Sequence, residues 1–449
     1  MKKPELLAPA GTLKMMRYAF AYGADAVYAG QPRYSLRARN NEFMNDNLAI
    51  GIEEAHTLGK KFFVAVNTMP HNSKVKTFME DLTPVIEMNP DALIMADPGL
   101  IMMVKEKFPD IPLHLSVQAN TVNYATVKFW QDYGMERIIL SRELSLDEVE
   151  EIRQQCPDME LEVFVHGALC IAYSGRCLLS GYFNHRDPNQ GTCTNSCRWE
   201  YSAKPAEQNE EGVIIQKPTP EVLPAGALNN AGCGDQKRHP LADQVYFLEE
   251  KQRPGELMPI TEDEHGTYIM NSKDLRAVEH VNRLIEIGVD CLKIEGRTKS
   301  HYYTARTTQS YRQAIDDAIA GREFDESLLG TLENLANRGY TDGFFQRHHT
   351  HEYQNYMENA SKENRQQFVA EMISADSKNG TIDVDVKNRF KVGDRLQLVV
   401  PDGKNREIKL ASMTNLKGEA MEVAPGSGHQ MRLPIEGITG DKLLIARIM

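Results

Sequence analysis

The chain has 449 residues, of which 41% are hydrophobic and 25% are charged, a balance that excludes fibrous and disordered proteins and indicates two or three folded units. Its net charge of −12 excludes a protein that coats nucleic acid by bulk electrostatic attraction. The charge is uneven, because residues 366–449 carry a net +1 and the preceding residues carry −13, so any contact with RNA needs a local basic patch, for which the tail is one candidate.

Short apolar runs alternate with longer segments of helical periodicity from the N-terminus onward. Eight runs are predicted to be strands: Glu5–Ala8, Ala26–Ala29, Phe62–Val66, Ala92–Ala96, Leu113–Val117, Arg137–Leu140, Glu162–Val165 and Cys291–Ile294. The segments between the first seven are predicted to be amphipathic helices: Thr12–Tyr22, Asn47–Leu58, Lys74–Met88, Gly99–Phe108, Thr121–Tyr133 and Leu146–Gln155. Buried strands joined by crossover helices form parallel sheets, so this α/β pattern predicts a closed (β/α)₈, TIM-like barrel over residues 1–345. The Gly-x-Gly-x-x-Gly and Gly-x-x-x-x-Gly-Lys-Ser/Thr motifs of nucleotide-binding folds are absent.

Two segments interrupt this alternation after the seventh run. Residues 166–201 form a cysteine-rich loop, and residues 203–265 hold 7 of the 21 prolines and 12 acidic against 6 basic residues. The second segment is predicted to be a long surface insertion. Regular periodicity returns at Tyr268–Asn271, and three helices are predicted beyond it: Leu275–Ile287, Tyr302–Ala320 and Leu328–Ala336.

The last part of the chain changes to short segments of alternating polarity. Residues 346–365 are polar and are predicted to be a linker to a separate domain at 366–449. Six strands are predicted in that domain: Phe368–Ile373, Thr381–Val386, Arg395–Val400, Glu407–Ser412, Glu419–Val423 and Lys442–Arg447. We expect a small all-β barrel, a type of fold that often binds nucleic acid.

Polar residues follow several of the predicted barrel strands. In parallel barrels, functional side chains gather at the C-terminal ends of the strands. The residues at those positions are Asn67, Asp97, Gln118, Asn120, Arg142, Glu143, His166, Glu295 and Arg297. Each is equally consistent with a helix cap or a satisfied polar group, and Asp97 and Ser145 are predicted to be caps.

The cysteines give the most specific chemical signal. Cys170, Cys177, Cys193 and Cys197 lie within 28 residues of a glycine-containing loop, and four thiolates suit a metal site. Their irregular spacing fits an iron–sulfur cluster at least as well as zinc. Unligated cysteines, or a Cys/His peptidase that uses Cys170 or Cys177 with His166, are the alternatives.

Other features bear on the cell compartment and on the remaining cysteines. Seven cysteines and the absence of a secretory or membrane-spanning segment predict a cytoplasmic protein without a disulfide framework. Cys156 and Cys291 are expected to be buried as small hydrophobic residues, and Cys233 lies in the insertion.

The residues around the cluster resemble a known family. Two stretches match its cysteine pattern: Glu162-Val163-Phe164-Val165-His166-Gly167-Ala168-Leu169-Cys170 and Gly175-Arg176-Cys177-Leu178-Leu179-Ser180. Further stretches resemble it along most of the chain: Pro4–Gly11, Gly23–Gly30, His114–Asn120, Asn271–Leu275 and Lys293–Arg297. The sequence is similar throughout these segments to the collagenase-like peptidases of unassigned mechanism, and within them to bacterial members that hydroxylate tRNA.

The resemblance implies an activity and its cofactors. It implies hydroxylation of the wobble uridine in the tRNA anticodon loop to 5-hydroxyuridine, with prephenate as cosubstrate, an iron–sulfur cluster (4Fe–4S) on the cysteines and a separate electron donor. Peptidase activity is the alternative within the family, and a non-catalytic tRNA-binding protein is a third reading. Many relatives have a cysteine ligand directly after the Asn271–Leu275 segment, where this chain has Arg276. The fourth ligand is therefore expected to be Cys197, with Cys233 as the second choice.

The resemblance and the strand-end residues together suggest roles for individual side chains. Four cations are expected to bind the carboxylates of a prephenate-like acid: Arg142, Arg176, Lys273 and Arg297. Each is equally consistent with a structural salt bridge. A flipped uracil is expected to meet the amides of Gln118 or Asn120 and to stack on Tyr173 or Tyr28. Tyr28 is equally consistent with a core residue. His166 and Glu295 complete the expected catalytic set.

Overall fold

The fold was analysed in a computed structural model of the chain. It describes residues 2–35, 42–70, 72–168, 172–173, 176–177, 201–208, 214–216, 246–250, 257–263, 266–269, 274–335, 339–346, 366–438, 440 and 442–449.

Eight parallel strands close into the predicted barrel. Their bounds are β1 Glu5–Pro9, β2 Ala26–Gly30, β3 Lys61–Val66, β4 Ala92–Met95, β5 Leu113–Leu115, β6 Arg137–Ile139, β7 Glu160–Ala168 and β8 Cys291–Ile294. Consecutive strands are neighbours, and β8 pairs in parallel with both β1 and β7, which closes the ring. The apolar runs of the sequence therefore identified all eight barrel strands.

Helices on the outside of the barrel connect its strands. Their bounds are α1 Leu13–Ala21, α2 Asn45–Thr57, α3 Asn72–Glu87, α4 Pro98–Lys107, α5 Tyr124–Asp132, α6 Leu146–Gln155, α7 Val281–Ile287, α8 His301–Ile319 and α9 Ser327–Glu333. The predicted caps are confirmed, since the Asp97 side chain accepts from the Leu100 N–H and Ser145 forms a capping box with Glu148. Among the described residues, no helix is both long and apolar enough to span a bilayer.

Two helix predictions began too early. The predicted helix Leu275–Ile287 starts at Val281, because Asp274–Arg276 is a short strand that pairs antiparallel with the end of β7. Its backbone groups are thereby engaged in a sheet before the helix begins. The helix predicted from Thr121 starts at Tyr124, because the Asn123 side chain caps it by accepting from the Thr126 N–H at 2.9 Å.

The segment predicted as a surface insertion contains strands that the sequence reasoning missed. They form a five-stranded antiparallel sheet from Tyr201–Gln208, Ile214–Gln216, Tyr246–Glu250, Leu257–Asp263 and Gly266–Ile269. Pro205 and Pro259 lie within its strands, paired opposite Tyr246 and Phe247. Prolines count against strands in a sequence pattern, which explains the missed assignment.

The C-terminal residues form the all-β domain that was predicted. Its strands are β9 Gln366–Asp376, β10 Thr381–Val386, β11 Phe390–Lys391, β12 Arg395–Val399, β13 Arg406–Lys409, β14 Thr414–Asn415, β15 Val423–Ala424, β16 Gln430–Leu433 and β17 Leu444–Ile448. Seven of them make one antiparallel sheet, and β11 pairs with β15. The strand at Gln430–Leu433 was not predicted, and the one predicted at Glu419–Val423 is limited to Val423–Ala424.

Helices α1 and α8 connect the barrel to this sheet. The Tyr22 hydroxyl of the turn after α1 lies 2.7 Å from the carbonyl oxygen of Val399, and Tyr302 of α8 stacks on Phe368 with ring centroids 4.6 Å apart. The Glu371 carboxylate of β9 pairs with Lys14 at 2.6 Å and His301 at 2.8 Å. Because α8 starts just after β8, the same helix links the sheet to the C-terminal end of the barrel.

Candidate functional site

Three cations and two aromatic rings alternate toward the C-terminal ends of the barrel strands, which we call the upper part of the barrel. The Arg142 guanidinium lies 3.8 Å from the Phe164 ring centroid, and the Lys293 amine lies 5.3 Å from the same centroid. Lys293 is also 4.4 Å from the Tyr28 centroid, with Arg297 at 5.7 Å from that ring. The negative faces of the rings stabilise these charges. The two arginines expected to bind an acid are therefore brought into one series, which we call the cation–ring series.

Tyr28 and Glu295 are joined at the end of this series. The Tyr28 hydroxyl lies 3.0 Å from a Glu295 carboxylate oxygen and 3.1 Å from the Ile294 carbonyl oxygen. Burial, and then the Glu295 charge, raise the pKa of Tyr28 well above its usual range, so the phenol stays protonated. Only 3% of Tyr28 is exposed, so its ring does not offer a stacking surface for a flipped base. Tyr28 is therefore a core residue, the alternative to a stacking role that the sequence left open.

Amide and hydroxyl groups form a second cluster at the ends of β3, β5 and β6. Asn67 donates to the Gln118 side-chain oxygen at 3.1 Å, and the Ser116 hydroxyl donates to that same oxygen. The Ser141 hydroxyl bonds to Glu143 and lies 3.5 Å from the Asn120 side-chain oxygen. Asn120 itself is in the left-handed region, with φ 55°. Gln118 and Asn120 are thus held in place by neighbours, as residues that position a ligand need to be.

His166 is buried among tyrosines near the end of β7. Its Nδ1 lies 3.3 Å from the Tyr311 hydroxyl, and its ring contacts Tyr303 and Tyr340. Burial, followed by the positive charges of Arg276 and Lys299, lowers the pKa of His166 to about 3. The imidazole is therefore neutral near pH 7, and its buried Nε2 has no hydrogen-bond partner in the described structure.

Several predicted residues fall outside the described ranges. Among them are Cys170, Cys193, Cys197, Cys233, Lys273 and residues 347–365 of the predicted linker. Arg176, Cys177 and Tyr173 lie in a described hairpin, where Ala172–Tyr173 pairs with Arg176–Cys177 and Cys177 stands opposite Ala172. The hairpin thus returns Cys177 to a position beside the chain that follows Cys170. The predicted buried cysteines Cys156 and Cys291 are both buried and free.

The sequence reasoning missed an ionic cluster in the lower half of the barrel. Arg137 contacts three carboxylates: Glu5 at 2.7 Å, Glu160 at 2.8 Å and Glu162 at 3.3 Å. Lys61 pairs with Glu5 at 2.9 Å, and Lys293 pairs with Glu162 at 2.7 Å. Burial pushes the pKa of Glu5 up, but Arg137 and Lys61 outweigh it and hold it below its usual range. The signal was present in the sequence as charges within predicted buried strands.

Hydroxyl groups at the upper end were also missed. Ser35, Thr68 and Thr121 follow β2, β3 and β5, and each has a buried hydroxyl without a hydrogen-bond partner among the described residues. Unsatisfied buried polar atoms are uncommon in native proteins and often mark a place where a ligand or water binds. The upper end therefore combines cations, amides and unsatisfied hydroxyls, and it is the candidate site.

Known proteins resemble the chain along most of its length. Residues 11–355 match the family model Peptidase family U32, and residues 364–447 match the Peptidase family U32 C-terminal domain. The chain is 63% identical over 436 residues to the tRNA hydroxylation protein P of Escherichia coli, covering 97% of this chain and 94% of that protein. It is 61% identical to the Haemophilus influenzae protein of the same name, covering 95% and 92%.

A more distant relative has a different RNA substrate in its name. The 23S rRNA 5-hydroxycytidine C2501 synthase of Escherichia coli is 29% identical, with 76% of this chain and 45% of that protein covered. The family expected from the cysteine pattern is confirmed, as is the similarity to tRNA-hydroxylating members. Because both parts of the chain match the models of this family, the chain belongs to peptidase family U32.

Proposed function

We propose that this protein is an RNA hydroxylase that converts the wobble uridine of tRNA to 5-hydroxyuridine with prephenate as cosubstrate. The supporting observation is the barrel end, where cations and fixed amides stand together, in a chain 63% identical to a tRNA hydroxylation protein. The names of two relatives that act on different RNAs both refer to hydroxylation, which favours hydroxylation over proteolysis for this chain.

The acid cosubstrate is assigned to the cation–ring series. A guanidinium that stacks on a ring keeps its N–H donors in its own plane, so Arg142 on Phe164 can still hold a carboxylate at its edge. Arg297 is 8% exposed and supplies the second guanidinium. Arg176 lies within the cysteine-rich loop and Lys273 follows the insertion, and both are proposed as further acid ligands.

The nucleobase is assigned to the amide cluster. Uracil presents one N–H donor and two carbonyl acceptors, which side-chain amides complement. Gln118 uses its oxygen to accept from Asn67 and Ser116, so its NH₂ group is the part directed to a base carbonyl in this proposal. Glu295, held by Tyr28, is proposed as an acid–base group beside the base, and the neutral His166 is proposed to accept or donate one hydrogen bond there.

A cluster is assigned to Cys170, Cys177, Cys193 and Cys197, with Cys233 as the alternative fourth ligand. The donor set is four soft thiolates, and the hairpin places Cys177 beside the chain that follows Cys170, so these residues fit an iron–sulfur cluster. When bound, such a cluster supplies one-electron transfer, with a separate protein as electron donor.

The first experiment measures the cofactor and the product together. We expect anaerobically purified wild-type protein to be brown, to contain iron and sulfide, and to form 5-hydroxyuridine in tRNA only when prephenate is present. Cys170→Ala is expected to lose both iron and product. Cys156→Ala is the matched control, because Cys156 is buried with its Sγ 3.7 Å from the Tyr124 carbonyl oxygen, and it is expected to keep both.

Three results would contradict the proposal. Full iron in Cys170→Ala would remove the cluster assignment. Cleavage of a denatured collagen substrate by a metal-free protein would support the peptidase alternative. Binding of tRNA with no nucleoside change in the presence of prephenate and a chemical reductant would favour a non-catalytic RNA-binding protein.

A further inference from the structure

Arg297 lies against two glycines at the ends of β1 and β2. A Cβ at Gly30 would stand 2.5 Å from the Arg297 Nη1 and 2.3 Å from the Ser35 Oγ. A Cβ at Gly11 would stand 2.1 Å from the Arg297 carbonyl oxygen. Any other residue at either position would have to displace these atoms. The two glycines therefore fix where Arg297 and Ser35 meet, in a recess that we call the Gly30 recess.

Ser35 is held in this recess by its own loop. The Gln31 side chain accepts from the backbone N–H groups of Arg33 at 2.7 Å and Tyr34 at 2.8 Å, and the Ser35 N–H donates to the Gln31 carbonyl at 3.2 Å. The Tyr34 hydroxyl is anchored on Asp81 at 2.8 Å. These bonds fix the turn, so the position of the Ser35 hydroxyl does not depend on that hydroxyl making a bond of its own.

That hydroxyl is buried and unsatisfied. Ser35 is 3% exposed, and its Oγ has no hydrogen-bond partner within the described part of the chain. A buried hydroxyl without a partner is destabilising, so its retention beside a cation needs a reason. A bound anion provides one, because the hydroxyl donates a hydrogen bond and the guanidinium supplies the charge.

We propose that Ser35 is a specificity-determining residue, which together with Arg297 binds one carboxylate of an organic acid in the Gly30 recess. This inference rests on the proposed function for the identity of the acid, for which prephenate is used as the ligand in the test. A carboxylate is planar and accepts hydrogen bonds on both oxygens, which matches one hydroxyl donor next to one guanidinium. The Arg297 Nη1 and the Ser35 Oγ come together at this place because Gly30 has no Cβ.

The test is calorimetric titration of prephenate into the full-length protein. Ser35→Ala removes only the hydroxyl and is expected to weaken prephenate binding about tenfold, the usual effect of losing a hydrogen bond to a charged group. Gly30→Ala displaces the Arg297 Nη1 and the Ser35 Oγ, and it is expected to weaken prephenate binding at least as much. Thr308→Val is the matched control, because its hydroxyl is likewise buried and unsatisfied but lies on α8, and it is expected to stay within twofold of wild type.

A kinetic measurement separates this role from a merely structural one. In the tRNA hydroxylation assay, Ser35→Ala is expected to raise the KM for prephenate about tenfold while the KM for tRNA and the melting temperature stay unchanged. Wild-type affinity for prephenate in both Ser35→Ala and Gly30→Ala would overturn the inference, even if tRNA is hydroxylated. Prephenate binding that depends on Ser35, in a protein that never hydroxylates tRNA, would keep the inference and overturn the proposed function.

Discussion

Buried charges have different kinds of partner in the two halves of the barrel interior. In the lower half, Arg137 is enclosed by Glu5, Glu160 and Glu162 at ion-pair distances. In the upper half, Arg142 and Arg297 lie against ring faces, and the hydroxyls of Ser35, Thr68 and Thr121 have no partner among the described residues. The carboxylates of the lower half thus pair with cations, while the upper half contains buried hydroxyls that are open to a hydrogen bond.

This difference separates stability from function within one fold. A closed ionic cluster adds little net stability, but removing one member leaves the remaining buried charges with fewer partners. The upper half does not depend on such a cluster for its stability, and its polar groups can bind a ligand. The comparison predicts that matched substitutions in the two halves affect different measurements: unfolding in the lower half, and ligand binding in the upper half.

The largest effect on stability is expected from Arg137→Met. Arg137 is 3% exposed, and its loss leaves Glu5, Glu160 and Glu162 without their shared cation. We expect the free energy of unfolding to fall by about 3–5 kcal/mol, as for other broken buried ion clusters. The measurement is urea unfolding followed by circular dichroism.

The matched substitution in the upper half is Arg142→Met. Its guanidinium stacks on Phe164 at 3.8 Å, so the loss is that of one cation–π contact, about 0.5–1 kcal/mol. If both variants lost the same stability, the distinction between the two halves would be refuted.

A second stability effect is expected where the barrel meets the C-terminal sheet. Glu371→Gln removes a carboxylate shared by Lys14 at 2.6 Å, His301 at 2.8 Å and Lys387 at 2.9 Å. Because its side chain is 10% exposed, we expect a loss of about 1–3 kcal/mol in urea unfolding. Glu407→Gln breaks an exposed pair with Arg395 in the same sheet and is expected to lose less than about 0.5 kcal/mol.

The pH dependence of the Glu371 effect follows from its charge. Burial pushes the pKa of Glu371 up, but His301, Lys14 and Lys387 together hold it well below its usual value of 4.5. The stability it contributes is therefore fully present above that value and declines as the pH falls below it. A difference between wild type and Glu371→Gln that grew on acidification would contradict this assignment. Contacts of this kind also mean that deleting residues 366–449 would expose α1 and α8, so it does not test RNA binding alone.

Sequence periodicity predicted the barrel because each of its strands is a compact apolar run. It failed where local pattern and tertiary pairing disagree: Asp274–Arg276 has helical neighbours but pairs with β7, and Pro259 lies in a strand opposite Phe247. Both segments are strands because a neighbouring strand offers an edge to pair with. A local sequence pattern does not contain that information.

The candidate site was predicted in part. The strand-end rule located Gln118, Asn120, Arg142 and Arg297 but not Ser35, because it considered the first polar residues after a run and the β2 run is followed by Gly30 and a turn. Applied as far as the end of that turn, it would have included Ser35. The lower ionic cluster was missed because Glu5, Arg137 and Glu162 were counted as parts of apolar runs.

The clearest functional effect is expected from Arg297→Lys. An amine cannot reproduce the planar fork of the guanidinium, so the affinity for prephenate is expected to fall tenfold or more in calorimetric titration. The free energy of unfolding is expected to change by less than about 1 kcal/mol. A lysine amine keeps the type of cation–π contact that Arg297 makes with the Tyr28 ring at 5.7 Å. Lost stability with unchanged prephenate binding would place Arg297 with the lower cluster instead.

The effect expected from His166→Phe concerns the pH dependence of stability. The folded-state pKa of His166 is about 3 and its unfolded value is near 6.5, so between these values the unfolded chain binds more protons. Stability is thus lost as the pH falls through this range, and His166 accounts for about 1 kcal/mol of the loss between pH 7 and 5.5. His114, buried on β5 with its pKa also far below normal, acts in the same direction in both proteins, so the difference between them isolates His166. An identical loss in wild type and His166→Phe would show that the pKa of His166 is not lowered in the folded protein.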